Sequence, residues 1–479
     1  MARYSGIAEV TATMNPIVAR LSHPVSSQSL AVFRIAFGAL LVWDCWRFFH
    51  YDRVFRYWVE PQILFPYAGF GWLRPLPEPW IYLAWGAMGL AAFCVMLGLF
   101  YRVAIVALTL LFSYFFLLDR AEYLNHFYLV ILFGALLCFM PAHRALSLDA
   151  RIWPGLRSKT IPYAAPFMLR AQMEIMLIYA GLVKLTPDWL AGQPLEIWLR
   201  GAADPGPFGF LFAYDWFFPL ASWGTIALHV LGAPLLMWSR TRVWVFFIYA
   251  AFHVSNAFYF NIGIFPWMTI AATTIFFAPD WPQRLLRWAL SRFETLPPMP
   301  APSAAPFRLP GILLAGMAVW LAVQVVLPIR GVIFPDSEIR WSGEGHRFSW
   351  RMRIYDREAE GVFFVLLPDD QSQIWVIEPE SRLTRRQSSK MLTRPDLIHA
   401  FAMALEREWQ AAGHRDVIVR ADIWKSLNGR PMQQFIDPSV DLTAVPVRAL
   451  RSNDWVLPLE IPVWGARDNT LGVTPGAGG

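Results

Sequence analysis

The sequence predicts a polytopic α-helical membrane protein of about nine transmembrane helices with a C-terminal extracytoplasmic α+β domain. Three observations predict it. Of 479 residues, 56% are hydrophobic and only 16% are charged, against roughly 25% charged in an ordinary soluble domain. The charge is unevenly divided: 38 charged residues lie in positions 1–335, and another 38 lie in the 144 positions that follow. Nine apolar stretches fill the first part, each near the ~20 residues a helix needs to cross the hydrocarbon.

The elements follow in order. Residues 1–27 are polar, lack a continuous apolar core and read as a cytoplasmic segment rather than a cleaved signal peptide. The transmembrane helical domain spans 28–335, with apolar stretches at 28–46, 79–100, 103–118, 125–142, 165–186, 216–238, 242–259, 261–279 and 310–328. Residues 57–78, with four prolines, read as a long loop, and 295–309 as a Pro-rich linker. With the N-terminus inside, thirteen Lys/Arg fall on inner segments and six on outer loops, the bias expected of that orientation. Nine crossings then place the domain 336–465 outside, ahead of a flexible Gly-rich tail, 466–479. Strand-like alternation marks 347–355, 361–367, 373–378, 417–427 and 432–436. Pro395 opens a helix with Leu397, Ile398, Phe401, Leu405 and Trp409 on one face.

Several function classes are excluded. The net charge of +6 arises in the first part, and no Lys/Arg cluster recurs on one face. That suits loops beside anionic lipid and not nucleic acid. Cys45, Cys94 and Cys138 sit in apolar runs without metal-ligand spacing, so neither a disulfide framework nor a metal site is expected. HExxH, GxSxG, P-loop and GxGxxG signatures are absent.

Ionisable groups inside apolar segments are costly and default to functional hypotheses. Lys184 ends the fifth stretch. Its bland reading is a lysine snorkelling to the interface; its functional reading is a desolvated amine acting as a base near neutral pH. His126 opens the fourth stretch and His253 lies toward the end of the seventh. Each alone reads as an interhelical hydrogen-bonding histidine. Under this topology all three fall at the outer side, which argues for a shared pocket with Asn125 and Asn256 as polar lining. Phe252, Phe258, Tyr259, Phe265 and Trp267 either line that pocket or pack at the interface. Arg34, Asp44, Arg170 and Glu174 are further intramembrane charges; Arg170 and Glu174 have the i,i+4 spacing of a pair.

At these residues the chain resembles the vitamin K-dependent gamma-glutamyl carboxylase family, as a bacterial-type member of the group sharing its multi-helix membrane domain. The resemblance runs from about residue 28 to 465. It is carried by LAVFRIAFG (30–38), LRPLPEPWIYL (73–83), LNHFYL (124–129), AGLVKLTPDWL (180–190), FHVSNAFYFNIGIFPW (252–267), FSWRMRI (348–354) and ADIWKSLNGRPMQQFIDPSVDL (421–442), in order. It implies a lyase that couples epoxidation of a reduced vitamin K quinol by O2 to carboxylation of peptide glutamate with CO2. The co-substrates would be reduced vitamin K (phylloquinol or menaquinol), O2 and CO2, with no metal. The partners would be the lipid bilayer, the lipophilic quinol and a glutamate-containing peptide or protein, and no nucleic acid.

Carried over residue by residue, the resemblance makes Lys184 the base that deprotonates the quinol and His126 its assistant. Asn125, His253, Asn256, Phe265 and Trp267 are expected around the quinol. Trp341, His346, Arg353 and Arg357 are expected at the peptide, with Lys425 a further partner for acidic side chains. Animal members have two adjacent lysines where this chain has Val183-Lys184, and a tyrosine where it has His346. The absence of sequons and the short C-terminus point to a bacterial inner membrane, with the C-terminal domain periplasmic. Two other readings stay open: a quinol epoxidase or oxygenase without carboxylation, and a non-catalytic membrane scaffold that binds peptide.

Overall fold

The computed structural model describes residues 15–202, 204–260, 262–291, 305–330, 339–368, 373–448 and 452–461. Most of the Pro-rich linker, the expected domain boundary at 335/336 and the C-terminal tail lie outside them.

Each apolar stretch falls on a helix. These are α1 (Gln28–His50), α2 (Trp80–Leu97), α3 (Tyr101–Leu118), α4 (Asn125–Phe139), α5 (Ala164–Leu182), α6 (Phe217–Met237), α7 (Arg242–Tyr259), α8 (Phe265–Phe276) and, beyond the linker, Gly311–Ile329. Five of them, α1, α2, α3, α6 and Gly311–Ile329, are long and apolar enough to cross a membrane. α4 and α8 are apolar but shorter. α5 carries Arg170, Gln172 and Glu174, and α7 opens on Arg242 and holds His253 and Asn256. The nine expected crossings are therefore helices in the expected places, five of which have a full span's length and apolarity.

Small residues set the closest helix contacts. A Cβ on Gly38 of α1 would lie 2.5 Å from the backbone nitrogen of Met96, so α1 and α2 meet almost backbone to backbone. The i,i+4 pairing of Arg170 with Glu174 does not form. Arg170 donates instead to the carbonyls of Ile275 (2.8 Å) and Phe277 (2.9 Å), which the end of α8 leaves without helical partners.

One helix lies between the eighth apolar stretch and the Pro-rich linker, where none was expected: α9 (Trp281–Leu290). None of its residues is buried; Leu285, Leu286, Trp288 and Leu290 are exposed, and Arg284 and Arg287 occupy the opposite arc. This is the pattern of a helix lying along a membrane surface. Gly311–Ile329 becomes α10 in this order.

The C-terminal region is α+β. Its antiparallel sheet is built from β1 (Arg357–Leu367), β2 (Gln373–Ile377), β3 (Ile418–Leu427) and β4 (Gln433–Gln434), in the order β2-β1-β3-β4. β1 and β3 pair from Arg357↔Leu427 to Leu366↔Ile418. That register puts Phe363, Val365, Val419, Ala421 and Ile423 on one buried face. Two helices accompany the sheet, α11 (Arg385–Met391) and α12 (Pro395–Ala411). α12 buries Leu397, Ile398, Phe401 and Leu405 in the same core, as its apolar face requires.

The strand expected at 347–355 does not form. Phe348, Trp350 and Arg353 have φ of 61°, 57° and 46°, the left-handed region, which no strand accommodates. The alternation has another cause. Phe348 and Trp350 are anchors inserted into the helical part, 4.9 and 5.1 Å from the ring of Tyr128.

Polar contacts, the first of them fully buried, fix the two parts together. Asp188, just after α5, takes a two-pronged bond from Arg430 (2.7 and 2.9 Å) and another from Asn428 (2.7 Å). Glu122, just before α4, accepts from Arg386 (2.6 Å) and Lys390 (3.2 Å) of α11. Asp396 bridges Arg347 (2.6 Å) and Arg120 (3.5 Å).

Candidate active site at the junction of the two parts

α5 ends at Leu182, and Pro187 prevents the chain from resuming a straight helix at once. Lys184 lies in the intervening turn and folds back. Its Nζ donates to the carbonyl of Ala180 (2.8 Å), in the last turn of α5, and to that of Met352 (3.3 Å), in the segment that replaced the expected strand. The side chain is 5% exposed, and no carboxylate pairs with it among the described residues. Nζ stands 5.3 Å from the centre of the Trp189 ring. Lys184 therefore does not snorkel: the C-terminal region covers it.

His126 occupies the first turn of α4, its ring against Phe127 (4.8 Å) and Phe265 (6.1 Å). Gly263, at φ +63°, brings the loop before α8 so close that a Cβ there would lie 3.2 Å from Arg47 Nη1 and 3.9 Å from His126 Nε2. Asn125 accepts from the Tyr123 hydroxyl (3.0 Å) and donates to the carbonyl of Arg351 (3.1 Å). His253 is 1% exposed, and neither ring nitrogen has a partner among the described residues. An unpaired buried polar group of this kind calls for a ligand or water.

These groups border one cavity of about 890 Å³. Lys184, His126, His253, Asn125 and Asn256 form its polar pole. Phe208, Phe212, Phe217, Ala221 and Gly224, from the start of α6 and the loop before it, make up the apolar part of the lining, its apolar arm. His346, Arg351, Arg353, Arg386, Lys390 and Arg394 line the wall contributed by the C-terminal region. The cations there are crowded and partly desolvated. Burial, followed by the fields of Arg394, Arg347 and Arg357, pushes His346 well below its usual value. Burial lowers Lys390 to about 8 against the pull of Glu122, and burial together with Arg347 lowers Arg394 to about 9. Such a wall favours an anion.

Of the residues expected at the site, the cavity brings together Lys184, His126, Asn125, His253, Asn256, Phe265, His346 and Arg353. Trp267 does not reach it: the residue is 41% exposed on the far side of α8. Trp341 is a core residue of the C-terminal region, its Nε1 donating to the Leu457 carbonyl (2.8 Å). Arg357 is spent on the carbonyls of Ile339 (3.2 Å) and Arg340. Lys425 is wholly buried, with Nζ 3.7 Å from the centre of the Phe435 ring, and donates to the carbonyls of Trp341 and Thr393.

Sequence reasoning missed several lining residues. Arg47 looked like a loop residue, but α1 continues to His50 and holds it in a buried pair with Asp44 (3.2 Å). Arg386 and Lys390 were legible as an i, i+4 pair, which α11 presents together, with Arg394 following just before Pro395. His229 carried the same signal as His253, a histidine inside an apolar stretch.

Residues 22–281 match the HTTM domain family, more than half of the chain, and residues 310–461 match the lumenal domain of the vitamin K-dependent gamma-carboxylase. The chain belongs to the vitamin K-dependent gamma-carboxylase family. No solved structure matches it. The family implies use of reduced vitamin K, O2 and CO2. The cavity fits a lipophilic quinol on its own evidence, since it joins an apolar arm to a pole where the His253 ring nitrogens lack partners.

Proposed function

We propose that the protein is a vitamin K-dependent gamma-glutamyl carboxylase that couples quinol epoxidation to carboxylation of a glutamate-containing peptide. The observation that carries this reading is the setting of Lys184: a covered amine, oriented by two carbonyls, at the pole of a cavity with an apolar arm and a cationic wall. Reduced vitamin K, with O2, supplies the oxidation and the strong base that no side chain can provide. The chain's own residues do the rest. Lys184 takes up a quinol hydroxyl proton at Nζ, a general-base role that requires the lone pair to face the hydroxyl. His253 and Asn256 would hold the quinol oxygens, and His126 would orient the ring. The apolar arm would take the isoprenoid tail, and the covering segment around Met352 would exclude water.

The glutamate carboxylate would be held by the cationic wall, where Arg353 and Arg394 replace Arg357 as the leading candidates. The C-terminal region would lie outside an inner membrane and deliver the peptide. The test follows epoxide and fixed label separately, with reduced vitamin K, labelled CO2 and a Glu-containing peptide. Lys184→Ala is expected to abolish epoxide formation while the protein stays folded in detergent. Epoxidation at near wild-type rate would remove Lys184 from this role. Epoxide without fixed label would leave a quinol epoxidase.

A further inference from the structure

We infer that Trp198 is a positioning residue for Arg353: its ring carries the guanidinium while its N–H keeps Asp356 occupied, so that Arg353 meets the glutamate carboxylate of the peptide with its donors unspent. The inference rests on the reading of the cationic wall as the carboxylate holder.

Three observations carry it. The first is the setting of the Arg353 guanidinium. Arg353 is exposed and lines the cavity. Its Cζ stands over two rings, 5.4 Å from the centre of Trp198 and 4.8 Å from that of Phe260. Those rings meet edge to face, 5.9 Å apart and at 77°, and so form an aromatic corner. A ring face attracts a cation through its quadrupole and supplies no oxygen acceptor. Among the described residues the guanidinium has no hydrogen bond and no ion pair. Arg351 and Arg386, on the same wall, instead give donors to the Tyr355 hydroxyl (2.8 Å) and to Glu122 (2.6 Å). Arg353 thus keeps the planar fork that matches a carboxylate.

The second is the treatment of the internal competitor. Asp356 lies three residues further along the same segment, and its field reaches Arg353. Its Oδ1 accepts from Trp198 Nε1 (3.0 Å). Asn428 fixes its backbone, accepting from the Asp356 N–H at Oδ1 (2.9 Å) and donating to the Asp356 carbonyl (2.8 Å). One indole therefore serves two opposite charges, the cation over its ring and the carboxylate at its N–H. Without that N–H, Asp356 loses the donor that holds it and becomes free to pair with Arg353.

The third is how firmly the parts are set. Trp198 belongs to a short helix, Leu195–Arg200, and packs against the cluster of Trp189, Ile226 and Ile354. A Cβ on Gly429 would lie 3.1 Å from Ile197 Cδ1, so this helix also abuts the turn whose Asn428 holds Asp356. The backbone of Arg353 is left-handed, φ 46°. That conformation is uncommon for a residue with a Cβ and concentrates where a side chain must be aimed.

The test uses the full-length protein in detergent. KM for a Glu-containing peptide is read from fixed labelled CO2, and KM for reduced vitamin K from epoxide. Trp198→Phe keeps a ring and loses the N–H. It should raise the peptide KM about two- to fivefold, the worth of one exposed ion pair, with kcat and the quinol KM unchanged. Adding Asp356→Asn removes the competing charge and should return the peptide KM to its wild-type value. Trp198→Phe at the wild-type peptide KM, or a rise that Asp356→Asn leaves in place, would overturn the inference and reduce Trp198 to packing. Arg353→Gln should raise the peptide KM about ten- to a hundredfold, the worth of a charge-assisted bond, and Trp198→Phe should add nothing to it. An unchanged peptide KM in Arg353→Gln would overturn the inference while fixed label in the wild type keeps the carboxylase reading. Absence of fixed label in the wild type would reject the carboxylase reading, and the inference with it.

Discussion

Lys390 shows how single side chains tune this cavity. It faces the space beneath the C-terminal region, pairs with Glu122 at 3.2 Å, and is nevertheless lowered to about 8 because burial outweighs the pairing. Its positive charge is therefore present below pH 8 and lost above it. If the cationic wall holds the glutamate carboxylate, KM for the peptide should rise as pH passes through about 8, while KM for the quinol stays flat. Lys390→Arg, which keeps its charge at every accessible pH, should flatten the peptide profile. A profile identical in wild type and Lys390→Arg would remove Lys390 from substrate binding. At this scale the sequence exposed the polar residues that interrupt apolar runs, Lys184, His126 and His253 among them. It did not expose the orientation of Arg47 or the carbonyl of Met352, because both depend on how far a helix continues or on a partner 168 residues away.

Between elements, the connection that matters most for the site is the one from the turn after α5 to the turn between β3 and β4. Asp188 and Arg430 are both almost completely buried there. Burial alone would raise the Asp188 carboxyl; the bonds from Arg430 and Asn428 win and hold it below its ordinary value. The stability it contributes is present above the ordinary carboxylate range and is lost as pH falls through the lowered folded value. Arg430→Met would leave an uncompensated buried carboxylate, which costs roughly 3–5 kcal/mol. Thermal unfolding should start earlier, and the loss should shrink when Asp188→Asn is added, since no charge is then stranded. Full additivity of the two changes would show that the pair is not the link. The elements themselves were largely legible: helix positions followed apolar length, and the four sheet strands followed alternation. The two misreadings have opposite causes. Residues 347–355 alternate because they anchor into the helical part, and α9 was concealed because its apolar arc faces away from the protein.

For the whole molecule, the cavity exists only because both parts contribute to it. α4, α7 and the turn after α5 supply its polar pole, α6 and the loop before it supply its apolar arm, and the segment from His346 to Arg353 closes it. Local patterning cannot reveal such a junction, since Asn125 meets the Arg351 carbonyl across 226 residues of chain; the sequence could only place the relevant histidines and lysine at one level of the membrane. That level carries the last prediction. All the closing contacts lie at the ends of helices nearest the C-terminal region, so we propose that the cavity and that region share one side of the bilayer. From the Lys/Arg bias we propose that this side lies opposite the cytoplasm. A reporter active only in the periplasm should therefore be active when fused after Trp464 and silent when placed in the loop at 151–160. Activity at both positions would break the expected parity of crossings. The reverse pattern would move the cavity to the cytoplasmic leaflet, and peptide substrates would then have to be sought in the cytoplasm.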